Sequence, residues 1–146
     1  MTDPSPGADK PPKPGFEPHF RRSPVTDPWE PLFSKVGDEA IRLGLWIGDN
    51  HCNARQALHG GVLASLCDNA MGLSYAKQAG PGVVTLSLNL DYLGAGRLGQ
   101  WLEVRPAVLR AGKGVGFVEA HVFADEHLIA RASATFRNVS APKPDS

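Results

Sequence analysis

The sequence predicts an α+β domain in which one antiparallel sheet wraps around a single long helix. Two observations carry this. Residues 59–78 form a run too long for a strand and apolar on most sides, with Val62, Leu66, Ala70 and Leu73 on one ridge and Leu63, Cys67, Ala70 and Ser74 on the next. Extended segments then follow one another through turns so short that neighbours must run in opposite directions. A helix greasy all round belongs inside something. With no window near the ~20 apolar residues that span a bilayer, that something is a curved sheet or a second subunit.

The 146 residues, with 15 basic and 15 acidic side chains, have the size and balance of one domain, and a net charge of zero gives no global electrostatic case for nucleic acid or an anionic membrane as partner. Nine of the 13 prolines fall in residues 1–31, where apolar periodicity is weak. Residues 1–27 are therefore expected as a flexible, proline-rich tail, 28–140 as the folded domain and 141–146 as a second tail. Trp29, Leu32, Phe33 and Val36 have the spacing of a short amphipathic helix, with Asp27 as cap, Pro28 in the first turn and Gly37 as its end. Residues 40–48, AIRLGLWIG, alternate over part of their length and predict the first strand. Gly80-Pro81-Gly82 stops the long helix.

From Val83 the period becomes two, with Val84, Leu86, Leu88, Leu90 and Tyr92 on one face and Thr85, Ser87, Asn89 and Asp91 on the other. Residues 101–110, 115–124 and 127–138 are three more strands, separated by turn residues at Gly94-Ala95-Gly96, at 111–114 and at Asp125-Glu126. Pro106 calls for a bulge or a sheet edge at its position. The total is five strands and one long helix, with the short helix before them and without an internal repeat.

Several chemistries start from weak signals. Gly94-Ala-Gly96-Arg-Leu-Gly99 matches a dinucleotide fingerprint, but the residues after it, WLEVRPAV, read as a strand where that site needs a helix. Asp49, His51, Cys52 and His59 lack an established metal-ligand spacing, and no metal is expected. Cys52 and Cys67 are too few for a disulfide scaffold, and Cys67 reads as a small buried hydrophobe. The N-terminus has no secretory apolar stretch, so a cytoplasmic location is expected.

The informative stretch is HGGVLASLCDNA, residues 59–70, where a lone carboxylate, Asp68, interrupts the apolar run. A desolvated carboxylate is normally paired, hydrogen-bonded or shifted in pKa. His59 is the obvious partner, yet nine residues at about 100° each put the two on opposite faces of one helix, roughly 13 Å apart along the axis. If they share a site, they come from different subunits. Gly60-Gly61 at the helix start would expose unpaired N–H groups at the positive end of the dipole, the raw material of an oxyanion hole. A purely structural Asp68, capping or pairing without chemistry, is the competing reading.

These residues, with Asn53 six positions before His59 and the strand VVTLSLNLDYL after the helix, resemble the hotdog-fold acyl-CoA thioesterases of the PaaI-like group over roughly residues 30–138. The resemblance implies a hotdog fold of five antiparallel strands around a central helix, dimers joined sheet edge to sheet edge, and often a homotetramer. It implies hydrolysis of an acyl-coenzyme A thioester with Asp68 as base or nucleophile and the Gly60 amide as principal oxyanion donor. His59 and Asn53 would orient the carbonyl or water, Thr85 would assist the water, and Gly61 would contact substrate. No cofactor is implied beyond the coenzyme A of the substrate, whose phosphates would meet Lys113 and Arg110, or Arg137. A non-catalytic acyl-CoA sensor and a hotdog hydratase or dehydratase are the rivals. Trp46, Tyr75, Phe117 and Phe123 are acyl-pocket or core aromatics, and the tail either covers the acyl pocket or stays disordered.

Overall fold

The computed structural model describes residues 9–139; the expected C-terminal tail, 141–146, lies outside them. One helix, α1 (Gly60–Ala79), is embraced by a single antiparallel sheet of seven strands: β1 (Glu17–Pro18), β2 (Phe33–Val36), β3 (Ile41–Trp46), β4 (Val83–Tyr92), β5 (Trp101–Ala111), β6 (Val115–Ala124) and β7 (His127–Asn138), in the order β1-β2-β3-β5-β6-β7-β4. The five expected strands are β3 to β7, and the sheet gains two short ones beside β3.

The helix is buried for the reason its composition implies. Leu66, Cys67, Ala70, Met71 and Tyr75 are all sealed against the concave face, where Leu43, Leu45, Val104, Val122 and Phe136 meet them. Cys67 behaves as a core residue, and burial, with the Asp68 charge beside it, pushes its thiol up to about 12. Gly80, at φ 93°, ends the helix in a conformation that only glycine adopts without strain.

The short helix expected around Trp29 to Val36 is instead a 3-10 turn at Asp27–Trp29 followed by β2. The reason is that Leu32 and Phe33 are both buried but in different places: Leu32 joins the main core, whereas Phe33 packs with Phe16, Trp101 and Trp46 on the other face of the sheet. Adjacent side chains pointing to opposite faces are a strand's property. Asp27 lies inside the turn; Thr26 precedes it as cap and makes no side-chain capping bond.

Part of the segment assigned to the tail is docked. Phe16 meets Trp101 edge to face at 5.4 Å, β1 pairs with β2, and the Trp46 indole N–H donates to the Lys10 carbonyl at 2.8 Å. Lys13 pairs with Glu103, a carboxylate 1% exposed that also holds Arg105. Burial pushes the Glu103 carboxyl up, but hydrogen bonds from Arg105, Trp101 and Lys13 outweigh it and hold the group below its usual range.

Pro106 pairs with Ala120 of β6, while the β3 pairing of β5 ends at Val104, so its missing N–H faces an unpaired edge; the bulge in β5 falls later, between Val108 and Arg110. The Gly94 to Gly99 stretch is a plain connection between β4 and β5, with Gly96 packed on Ile47 and Leu58. No helix among the described residues is long and apolar enough to cross a membrane.

Candidate active site

The helix start is built as an N–H donor site. His59 occupies the cap with extended backbone, and its ring Nδ1 accepts the Gly61 N–H at 2.9 Å. A Cβ at Gly61 would lie 3.0 Å from the His59 ring, so the glycine is what lets the imidazole fold over the helix end. Its amide is thereby occupied. The Gly60 N–H, by contrast, has no acceptor among the described residues, and the Tyr92 hydroxyl fixes the same residue from behind by donating to the Gly60 carbonyl at 2.7 Å. One N–H at the positive end of the helix dipole is thus held in place and unpaired.

Asp68 lies two turns further on and faces β4. The Thr85 hydroxyl donates to Asp68 Oδ1 at 2.6 Å. How Thr85 reaches it corrects the sequence reading, which put Thr85 on the face opposite Leu88 and Leu90. In the β4–β7 ladder Thr85 stands opposite Phe136 and Ser87 opposite Thr135, so Leu86 is an extra residue that flips the phase of the strand. Before the bulge Thr85 shares the inward face of buried Phe136; after it, Leu88 and Leu90 share the inward face of Ala134 and Ala132. A β-bulge re-aims one side chain without sacrificing the core beyond it.

Asp68 and Thr85 stand at a cleft of about 680 Å³ that runs between the β2–β3 edge and β4 over the uncovered face of α1. Neither His59, Gly60 nor Asn53 lines it. Asn53 is spent on its own loop: its Oδ1 accepts from the Arg55 N–H at 2.9 Å and the Ala57 N–H at 3.3 Å. Within one chain the expected residues therefore fall into two groups, Asp68 with Thr85, and His59 with Gly60 and Gly61.

The family is decided by comparison with known sequences. Residues 56–130 match the model of the thioesterase superfamily, and the chain is 35% identical to a Pseudomonas aeruginosa protein named as an esterase over 125 residues, 84% of this chain and 93% of that one. The chain belongs to the thioesterase superfamily. Human acyl-coenzyme A thioesterase 13 is 34% identical to this superfamily member over 73 residues, 49% of this chain and 51% of that one. Among solved structures, the phenylacetic acid degradation protein PaaI of Thermus thermophilus superposes with a TM-score of 0.69 at 22% identity, over 74% of this chain and 93% of that one. The fold is the hotdog.

Two placements in this thioesterase-superfamily chain differ from the sequence reading. Lys113 sits in the turn between β5 and β6, Arg110 is exposed near the end of β5, and neither lines the Asp68 cleft; the lining cations are Arg21 and Lys77. The cleft also has a wall that composition concealed, formed by His19, Phe20, Arg21, Ser23 and Thr26 from the proline-rich segment. The available signal was the recurrence of Phe16, Phe20, Val25 and Trp29 among those prolines.

Proposed function

We propose that the protein hydrolyses acyl-coenzyme A thioesters, with Asp68 activating water or attacking the carbonyl itself and with the oxyanion received by the Gly60 N–H of a second copy. The observation that carries this reading is the Asp68–Thr85 pair at 2.6 Å at the cleft, on a helix whose start keeps an unpaired N–H at Gly60. The superfamily membership and the acyl-coenzyme A thioesterase named among its relatives support the substrate class.

The chemistry follows from where charge develops. In the base route Asp68 takes a proton from water as the oxygen bonds to the thioester carbonyl carbon, and negative charge moves to the carbonyl oxygen, which the Gly60 N–H and the helix dipole stabilise. Collapse breaks the C–S bond, and the proton on Asp68 passes to the leaving thiolate, yielding free acid and coenzyme A. Thr85 donates to one oxygen of Asp68, which leaves the other oriented toward water. In the nucleophile route a carboxylate oxygen of Asp68 bonds to the carbonyl carbon, and the C–S bond breaks to release coenzyme A as the thiolate. Water then opens the anhydride to the free acid and the Asp68 carboxylate, its proton passing to the thiolate. After single-turnover hydrolysis in ¹⁸O water, label in the Asp68 carboxylate would establish an anhydride opened at the Asp68 carbon, since the base route puts all of the label in the free acid.

The cation candidates for the coenzyme A phosphates are Lys113 and Arg110 from a neighbouring copy and Lys77 at the cleft itself. The reading takes the assembly to be a dimer through β4, or two such dimers as a tetramer, in the cytoplasm. It is tested by free-thiol release from a panel of acyl-coenzyme A thioesters. Asp68→Asn is expected to lower turnover by about 10²- to 10⁴-fold while still binding substrate. Tight binding without turnover by the unsubstituted protein, or full turnover by the variant, would move the assignment to a binding module or a different base.

A further inference from the structure

We propose that residues 19–26 are the acyl-selecting wall of this site, closing the trench in which the acyl chain lies and setting the chain lengths it accepts. The inference rests on the thioesterase reading for the identity of the occupant, and on geometry for the rest. Asp68, Gly72 and Ala76 follow one another at four-residue spacing along α1, so they share one face, and all three line the cleft. Beyond the carboxylate this row carries no more than a methyl group, with Asn69, Leu73 and Lys77 of the same helix lining the cleft beside it, and it leaves a trench floor about 12 Å long from Asp68 to Ala76. Val36, Ile41, Val83 and Phe136 give its sides apolar surface, and α1 adds the polar groups of Asn69 and Lys77. An acyl chain whose carbonyl reacts at Asp68 has one direction in which to extend.

The trench is bounded on its open side by a segment tied down at both ends. On the near side the His19 N–H donates to the Leu32 carbonyl at 2.9 Å, just after β1 and the Phe16–Trp101 contact. On the far side the Ser23 carbonyl accepts from the Thr26 and Asp27 N–H groups, the Asn50 side chain donates to the Pro28 carbonyl at 2.6 Å, and the buried His51 ring bonds the Trp29 carbonyl at 2.8 Å. Between these anchors Phe20 lines the cleft while remaining 59% exposed. The ring lies against His19, with centroids 4.7 Å apart, so an anchored backbone holds an apolar face at the open side of the trench, where a chain lying in it would meet it.

The test measures binding and turnover separately in the full chain, using non-hydrolysable thioether analogues of acetyl-, hexanoyl- and decanoyl-coenzyme A for calorimetry and the corresponding thioesters for kinetics. Affinity of the unsubstituted protein is expected to rise by up to about fourfold per methylene that enters the trench. Ala76→Leu fills the trench and is expected to weaken the decanoyl analogue by about tenfold or more while leaving the acetyl analogue unchanged. Phe20→Ala, at a position 59% exposed, is expected to reduce the preference for the longer chains by about fivefold or more without altering acetyl binding. Unchanged chain-length dependence in both variants would overturn the wall even if thioesters are hydrolysed. Chain-length-dependent binding that both variants alter, without turnover, would leave the wall standing and sink the hydrolase assignment. Failure to bind any analogue overturns both.

Discussion

At the scale of single residues, Asp68 and Thr85 show what a sequence discloses and what it hides. A charge inside an otherwise apolar helix stands out because burying an unpaired carboxylate costs several kcal/mol, so Asp68 was legible without a structure. Thr85 was legible only as a position near the start of a strand. Its direction depends on the Leu86 bulge, and a bulge leaves no mark on a run that alternates as cleanly as residues 83–92. If the Thr85 hydroxyl orients Asp68, Thr85→Ala is expected to lower kcat by about 10- to 100-fold, the worth of one hydrogen bond to a charged group, with little change in KM, and Thr85→Ser to restore most of it. Equal kcat for the alanine variant would assign the 2.6 Å contact to structure alone. Gly116 offers a contrasting case in the core. A Cβ there would stand 2.2 Å from the Tyr75 ring, which is fully buried and stacked on Phe136 at 6.0 Å. Gly116→Ala is therefore expected to cost about 1–3 kcal/mol, read as a lower denaturant midpoint at unchanged m-value.

At the scale of elements, legibility followed coverage. The strands β6 and β7, and β4 beyond its bulge, alternate because one face meets the core and the other does not, whereas β2 carries buried residues on both faces and mimics helical spacing. The docked N-terminal segment was hidden for a related reason: its Phe16 sits on three aromatic side chains far along the chain, Phe33, Trp46 and Trp101, and no local window contains them. Its far anchor is titratable. His51 is 2% exposed, accepts the Gly48 N–H at Nδ1 and bonds the Trp29 carbonyl through Nε2. Burial lowers its pKa from the usual 6.5, with the Trp29 carbonyl acting in the opposite sense. The unfolded chain then takes up the proton before the folded one as pH falls, so this contribution is complete above the ordinary value and is lost as the pH drops through the folded one. His19 is lowered too, first by burial, and adds in the same direction. A declining urea midpoint between about pH 7.5 and about pH 5.5 is expected, with a smaller decline in His51→Gln. A flat profile in the unsubstituted protein would show that neither histidine is linked to folding.

At the scale of the whole molecule, the sheet leaves β4 as a long open edge among the described residues. β4 bonds only to β7 among the described residues, and along it Val84 and Leu86 are 44% and 55% exposed. An unpaired apolar edge of ten residues is a template for a second strand, and its self-complementary use is a two-fold dimer. The same operation answers the division within the site, since Gly60 and Asp68 are about 12 Å apart along one helix axis and face different ways. If each reaction centre takes Asp68 from one copy and the Gly60 N–H from the other, two inactive variants should rescue each other. Gly60→Pro deletes that N–H at the first helical position, where proline is tolerated, and Asp68→Asn deletes the base. Each alone is expected to be nearly inert. Unfolded together and refolded at equal amounts, half the dimers combine the two variants, and each such dimer has one centre with both groups intact and one with neither. Turnover should then return to roughly a quarter of the unsubstituted value. A mixture as inactive as its components, with mixed dimers demonstrated by a mass tag on one variant, would place both groups of each centre in a single chain and remove the second copy from the chemistry.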